Sequence, residues 1–147
     1  KKYLWMPLYL PSLKGQEIEV AWCLDTSGSI STEEARIGLS ELRGILEQFE
    51  GYTVHYFQVD HTIQDYHVLT HETKEEEWTT EVKGRGGTSF KPVFEEIAKR
   101  DLKPSILIYF TALEGDFPDV APDYPILWLT TTDKNPPFGE RILFTPD

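Results

Sequence analysis

The segment 18–24 (IEVAWCL) is apolar but for Glu19 and stops abruptly at Asp25-Thr26-Ser27-Gly28-Ser29. A short apolar run bounded by a polar, glycine-containing loop reads as a buried strand. The chain then switches to helical spacing. Ser31 stands three residues before Glu34, the reciprocal capping-box pattern, and Ala35, Leu39, Leu42, Leu46 and Phe49 follow on one face. Gly51 is expected to close that helix as a C-terminal glycine. Strand, polar loop and amphipathic helix together commit the chain to an α/β architecture.

The alternation continues. Residues 52–59 (YTVHYFQV) read as a second strand with Asp60-His61 as its turn, and 64–70 as an antiparallel edge strand returning beside it. Asp60 ends the second strand on the same edge as the polar loops, where it either supports a metal shell or simply forms the turn. The acidic stretch 72–77 reads as a solvated connection. It leads past Trp78 to the glycine-rich loop Gly84-Arg85-Gly86-Gly87-Thr88-Ser89. A second amphipathic helix carries Phe90, Val93, Phe94 and Ile97, with Pro92 placed in its first turn, where a missing N–H costs nothing. Residues 105–110 (SILIYF) form the most apolar strand and open into Thr111-Ala112-Leu113-Glu114-Gly115-Asp116; 125–129 and 142–144 read as two more strands. The expected fold is a doubly wound, mostly parallel Rossmann-like sheet, with helices on both faces and one antiparallel edge strand. With 147 residues, it is read as a single domain over 1–147, with its core at about 18–132. Lys1 at its start suggests excision from a longer protein.

Composition excludes several functions. A net charge of −11, from 14 Lys and Arg against 25 Asp and Glu, repels phosphate backbones and anionic lipid, so no nucleic-acid or membrane partner is expected. A single cysteine, Cys23, excludes a disulfide framework and a multi-thiolate zinc site. No apolar run reaches membrane-spanning length and no secretory segment opens the chain, so the expected location is cytoplasmic. The histidines at 55, 61, 67 and 71 lack metal-ligand spacing, and His55 and His67 are placed on a half-exposed strand face. Trp5, Trp22, Trp78 and Trp128 read as core or rim, and Cys23 as buried and inert.

In doubly wound sheets ligands bind beyond the carboxyl ends of the strands, where strand order reverses. The loops at 25–29, 84–89 and 111–116 qualify, and they share hard oxygen. Asp25, Ser27 and Ser29 alternate along an extended loop, and Thr88 adds a hydroxyl on a loop whose glycines permit close approach. One carboxylate with several hydroxyls suits Mg²⁺ or Mn²⁺, not zinc or copper. Loop and capping chemistry alone would also select Asp and Ser at 25–29, and Thr88 or Ser89 as a helix cap.

Asp25-x-Ser27-x-Ser29 after an apolar strand, with Gly86-Gly87-Thr88 before a helix, resembles a von Willebrand factor A-type (VWA-like) domain. With Gly115-Asp116-Phe117-Pro118, the chain is most similar to the bacterial VWA-like domain at the C-terminus of predicted metallopeptidase-like proteins. The resemblance implies a non-catalytic protein-interaction module. Its metal-ion-dependent adhesion site (MIDAS) would use Asp25, Ser27, Ser29 and Thr88 to hold a divalent cation, which in turn takes an acidic residue of a partner protein. It also implies a partner such as a companion AAA+ ATPase or another domain of the same chain. The family's third element, an aspartate directly after the threonine that ends the fourth core strand, is Ala112 here. Glu114 and Asp116 are the possible stand-ins, and without one of them the cation is weakened or lost, leaving a metal-free scaffold. A serine hydrolase using Ser89 is the rival of a different class, but its surroundings lack the His-Gly dipeptide and the proline spacing of that chemistry.

Overall fold

The computed structural model describes residues 17–28, 30–78, 81–84 and 86–145. Trp5, Ser29 and Arg85, singled out above, lie outside the described residues. Six strands form one sheet: β1 (Glu17–Asp25), β2 (Gly51–Val59), β3 (Ile63–Thr70), β4 (Ile106–Thr111), β5 (Ile126–Thr130) and β6 (Glu140–Leu143), ordered β3-β2-β1-β4-β5-β6. All neighbours pair parallel except β2 and β3, which pair antiparallel at one edge. The order reverses between β1 and β4, so the ligand-binding crevice of this topology lies at their carboxyl ends.

The two helices, α1 (Thr32–Leu46) and α2 (Lys91–Lys99), cover opposite faces. The two-residue period of β1 sorts its side chains between them. Ile18, Val20, Trp22 and Leu24 pack with Ala35, Leu39, Leu42 and Ile45 of α1. Ala21 and Cys23 pack with Val93 and Ile97 of α2. Trp22, Tyr56 and Phe110 on one side and Phe57, Phe90, Tyr109 and Trp128 on the other are fully buried, and each such side chain contributes about 1.5–3 kcal/mol.

The capping box at Ser31 and Glu34 forms in both directions, with Glu34 N–H donating to Ser31 Oγ at 3.0 Å and Ser31 N–H to Glu34 Oε1 at 2.9 Å. Gly51 does not close α1. The helix ends at Leu46 with Glu47 as its C-cap, and Gly51 is instead the first residue of β2, against His71 and Glu17. Neither Thr88 nor Ser89 is the N-cap of α2; Phe90 holds that position without a side-chain cap, and Ser89 Oγ accepts a long hydrogen bond from Lys91 N–H at 3.4 Å. His55 is not half-exposed either. It is 6% exposed, between Glu19 Oε2 at 2.6 Å and Tyr66 Oη at 2.9 Å. The acidic stretch at 72–77 is solvated as expected, apart from half-buried Thr73, and contains a single 3-10 turn, Glu75–Glu77. Among the described residues no helix is long and apolar enough to cross a membrane.

Candidate functional site

β1, β2 and β4 end side by side, so the residues after them meet at the reversal point. Asp25 closes β1 at 1% exposure. Its Oδ1 accepts the Ser27 N–H at 3.0 Å and its Oδ2 accepts the Thr111 hydroxyl, from the end of β4, at 2.5 Å. The Thr111 oxygen also accepts the Leu113 N–H at 3.0 Å, which curls the β4 loop back over its own strand. A buried carboxylate with only two donors among the described residues is thinly compensated there for a charge removed from water. Beside it the hydroxyls of Thr26 and Ser27 are shielded from solvent and have no hydrogen-bond partner among the described residues. Tyr109 Oη lies buried and unpartnered as well, and its phenol is raised well above the ordinary value by burial and then by the neighbouring Cys23 and Asp25. Burial likewise pushes the Cys23 thiol well up, in keeping with an inert cysteine.

The glycine-rich loop is held from both sides, by Asp60 and by Asp116. Ser89 N–H donates to the Asp60 carbonyl at 3.0 Å, Phe90 N–H donates to the Asp116 carbonyl at 2.9 Å, and Ser89 bridges Asp116 in parallel register. Only glycine fits at the points of closest approach. A Cβ on Gly84, whose φ is +112°, would stand 2.7 Å from Thr26 Oγ1. One on Gly115 would stand 2.6 Å from Thr88 Cγ2. The loops at 25–28, 84–89 and 111–116 therefore form one constellation, with Thr88 half-buried against Gly115.

The remaining candidates are placed less centrally. Glu114 is exposed and paired with Lys134 Nζ at 2.5 Å, and the Asp116 side chain is exposed while its backbone braces α2. Ala112 is buried at 4%, with its carbonyl accepting the Thr132 hydroxyl at 2.9 Å. Leu113 beside it adopts φ +65°, a left-handed conformation costing roughly 1–2 kcal/mol, which burial of its side chain against the α2 face offsets. Thr111 gains a role that the sequence did not reveal, as the partner of Asp25 from 86 residues away, and Asp60, read as a turn residue or a support of the metal shell, is a buried hub.

Asp60 is 2% exposed and accepts from Thr62 N–H (3.1 Å) and Gln64 Nε2 (3.0 Å) on Oδ1 and from Gly86 N–H (2.9 Å) on Oδ2. Burial pushes its carboxyl up, but the hydrogen bonds from Gln64, Gly86 and Thr62 outweigh that and hold it below the usual value.

A doubly wound sheet whose reversal point gathers an Asp-x-Ser loop, a Gly-Gly-Thr loop and the end of the fourth core strand defines the class of α/β domains with a polar crest. Within that class the chain matches the family model "VWA-like domain (DUF2201)" over residues 20–145, and it belongs to that family. No curated protein and no solved structure matches it.

As a test of fit for a divalent cation, the donors are all hard oxygen: one carboxylate at Asp25, the unpartnered hydroxyls of Thr26 and Ser27, and the Thr88 hydroxyl. Among the described residues no three His, Cys, Asp or Glu side chains gather as a metal cluster, so a cation here would rest on hydroxyls and water around one charge. That chemistry fits Mg²⁺ or Mn²⁺ and predicts weak binding.

Proposed function

We propose that this domain is a non-catalytic protein-interaction module whose recognition surface is the crest formed by Asp25, Ser27, Ser29 and Thr88. The observation that carries the reading is the buried Asp25 carboxylate at the strand-order reversal, with two donors and two neighbouring hydroxyls that have no partner among the described residues. A buried charge and orphaned oxygens are costly to maintain, and a hard cation is the ligand that would satisfy all of them. Asp25 would hold it directly, with Ser27, Ser29 and Thr88 contributing hydroxyls or ordering its waters. Bound there, the cation would supply an open Lewis-acidic position for a carboxylate of a partner protein. It would also reverse the local sign of a domain carrying −11, allowing an acidic ligand to approach.

Ala112 supports the view that the affinity of this chain is reduced, because a buried methyl stands where the resemblance calls for a carboxylate. Glu114 and Asp116 are the nearest substitutes, and Glu114 would first have to leave Lys134. The same alanine favours a second reading, a metal-free scaffold in which the crest itself is the contact surface. In either form the partner is a protein, with a companion AAA+ ATPase or another domain of the same polypeptide as the leading kinds. The setting would be the cytoplasm of a bacterium, and the domain the C-terminal module of a metallopeptidase-like protein.

Thermal unfolding with and without millimolar Mg²⁺ or Mn²⁺, on this chain and on Ala112→Asp, tests the proposal. A ligand that binds only the native state must raise the midpoint. We expect a rise of several degrees for Ala112→Asp and a smaller one, or none, for the parent chain. No response from either protein at high metal would overturn the cation reading and leave the metal-free scaffold.

A further inference from the structure

Asp60 does more than a turn requires. An aspartate that only shapes the turn after β2 needs one oxygen, and Oδ1 serves that purpose by accepting Thr62 N–H. The turn leaves Oδ2 free to face water, as the neighbouring His61 and Thr62 do. Instead Asp60 is 2% exposed and Oδ2 accepts the N–H of Gly86, 26 residues further along. Its backbone carbonyl accepts Ser89 N–H, so one residue grips the glycine-rich loop at two points on either side of Gly87 and Thr88. The loop is shaped for this grip. A Cβ at Gly84 would meet Thr26 Oγ1 at 2.7 Å and Asp60 Oδ2 at 2.8 Å, and one at Gly86 would meet Asp60 Oδ2 at 2.9 Å. The same carboxylate oxygen thus lies under both glycines and close to the loop that follows Asp25.

We infer that Asp60 is the positioning residue of the crest: its carboxylate and carbonyl latch Gly86 and Ser89 in the register that sets Thr88 against Gly115, in the loop that follows Thr111. The inference rests on the proposed function for its consequence, cation binding, but the latch is testable without any cation. A carboxylate suits the task because both its oxygens accept, and three N–H donors converge on it. An asparagine would turn an NH₂ towards one of those donors.

Amide hydrogen exchange and Mn²⁺ titration together test this. In Asp60→Asn the Gly86 and Ser89 amides should exchange at least tenfold faster, while the amides of Val20 and Ile97 in the core keep their protection. Gln64→Ala, which removes an Oδ1 donor only, should leave Gly86 and Ser89 unchanged. If Asp60→Asn does not fold, Gly84→Ala serves in its place, because its methyl would wedge between Thr26 and Asp60 and must loosen the same two amides. Unchanged exchange at Gly86 and Ser89 in the folded variant overturns the latch. For the consequence, Mn²⁺ alone is titrated into Ala112→Asp with and without Asp60→Asn, and the second protein should bind at least tenfold more weakly. Equal affinities would overturn the positioning role while leaving the cation reading intact. If neither protein binds, the cation reading fails, and the exchange result still decides for or against the latch.

Discussion

At the scale of the residue, the Asp25–Thr111 pair is where stability and site chemistry meet. Thr111 is fully buried, and its hydroxyl is one of only two donors among the described residues to a carboxylate that is itself 1% exposed. Thr111→Val keeps the shape and deletes that donor. Hydrogen bonds to charged groups are worth about 1.5–3 kcal/mol, and a buried acceptor left open costs a similar amount. We therefore expect Thr111→Val to lower unfolding stability by about 2 kcal/mol, read as a shift in urea midpoint at constant slope. Serine at this position keeps the hydroxyl and should restore most of the loss. An unchanged midpoint would mean that Asp25 is already satisfied by water and is not the constrained charge described above. The sequence makes Asp25 and Ser27 legible through their spacing after an apolar run. It conceals Thr111 as a partner, because a contact across 86 residues depends on the β1–β4 pairing and leaves no local signature. Asp60 was legible as a turn residue or a support of the metal shell, but its grip on the glycine-rich loop was not, for the same reason. Its second oxygen serves a loop 26 positions away.

At the scale of the element, Gly38 shows how closely α1 rides on the sheet. It is buried in the helix interior, where glycine costs about 1 kcal/mol relative to alanine, so propensity alone favours Gly38→Ala. Packing opposes it. The added methyl would stand 2.9 Å from Phe110 Cε2 and 3.5 Å from Trp22 Cη2. The Phe110 ring is fully buried between Trp22 and Phe144. Overpacking of this kind typically costs about 1–3 kcal/mol, so we expect a net loss of roughly 1 kcal/mol in a denaturant titration. A gain in stability would show that the helix can slide outward. The elements themselves follow from the sequence because their signals are local and agree: the capping box, the edge strand and the apolar strands form within a residue or two of their expected places, while of the helical stripes Phe49 lies beyond the end of α1 and Phe90 caps α2. Gly51 is the instructive exception. A glycine after a helical stripe and a glycine before a strand look alike in sequence. Here α1 ends earlier, in a tightened turn where Gln48 and Phe49 donate to the carbonyls of Ile45 and Leu46.

At the scale of the whole molecule, the face of the sheet covered by α2 buries groups whose ionisation folding suppresses, and this sets the alkaline limit of stability. Burial pushes the Cys23 thiol and the phenols of Tyr109 and Tyr124 upward. On the α1 side burial raises Tyr56 to about 12, a shift that the Gln58 amide only partly offsets. The sign follows from proton counting. Between the unfolded and folded pKa values the native state keeps a proton that the unfolded chain has lost, so stability falls as pH rises. The contribution of each group is complete below its unfolded pKa, about 8.5 for a thiol and about 10 for a phenol, and is lost above it. For Tyr56 a shift of about two units corresponds to roughly 2–3 kcal/mol at full loss. The urea midpoint of the parent chain should therefore hold to about pH 8 and decline progressively from there towards pH 12. Tyr56→Phe removes one titrating phenol and should flatten the decline above about pH 10, with its plateau at neutral pH little changed. A parallel decline in both proteins would show instead that the alkaline loss comes from repulsion within a chain already carrying −11, which added salt would then relieve. The two causes separate cleanly, because a buried phenol is screened far less than a surface charge and its contribution should survive high salt.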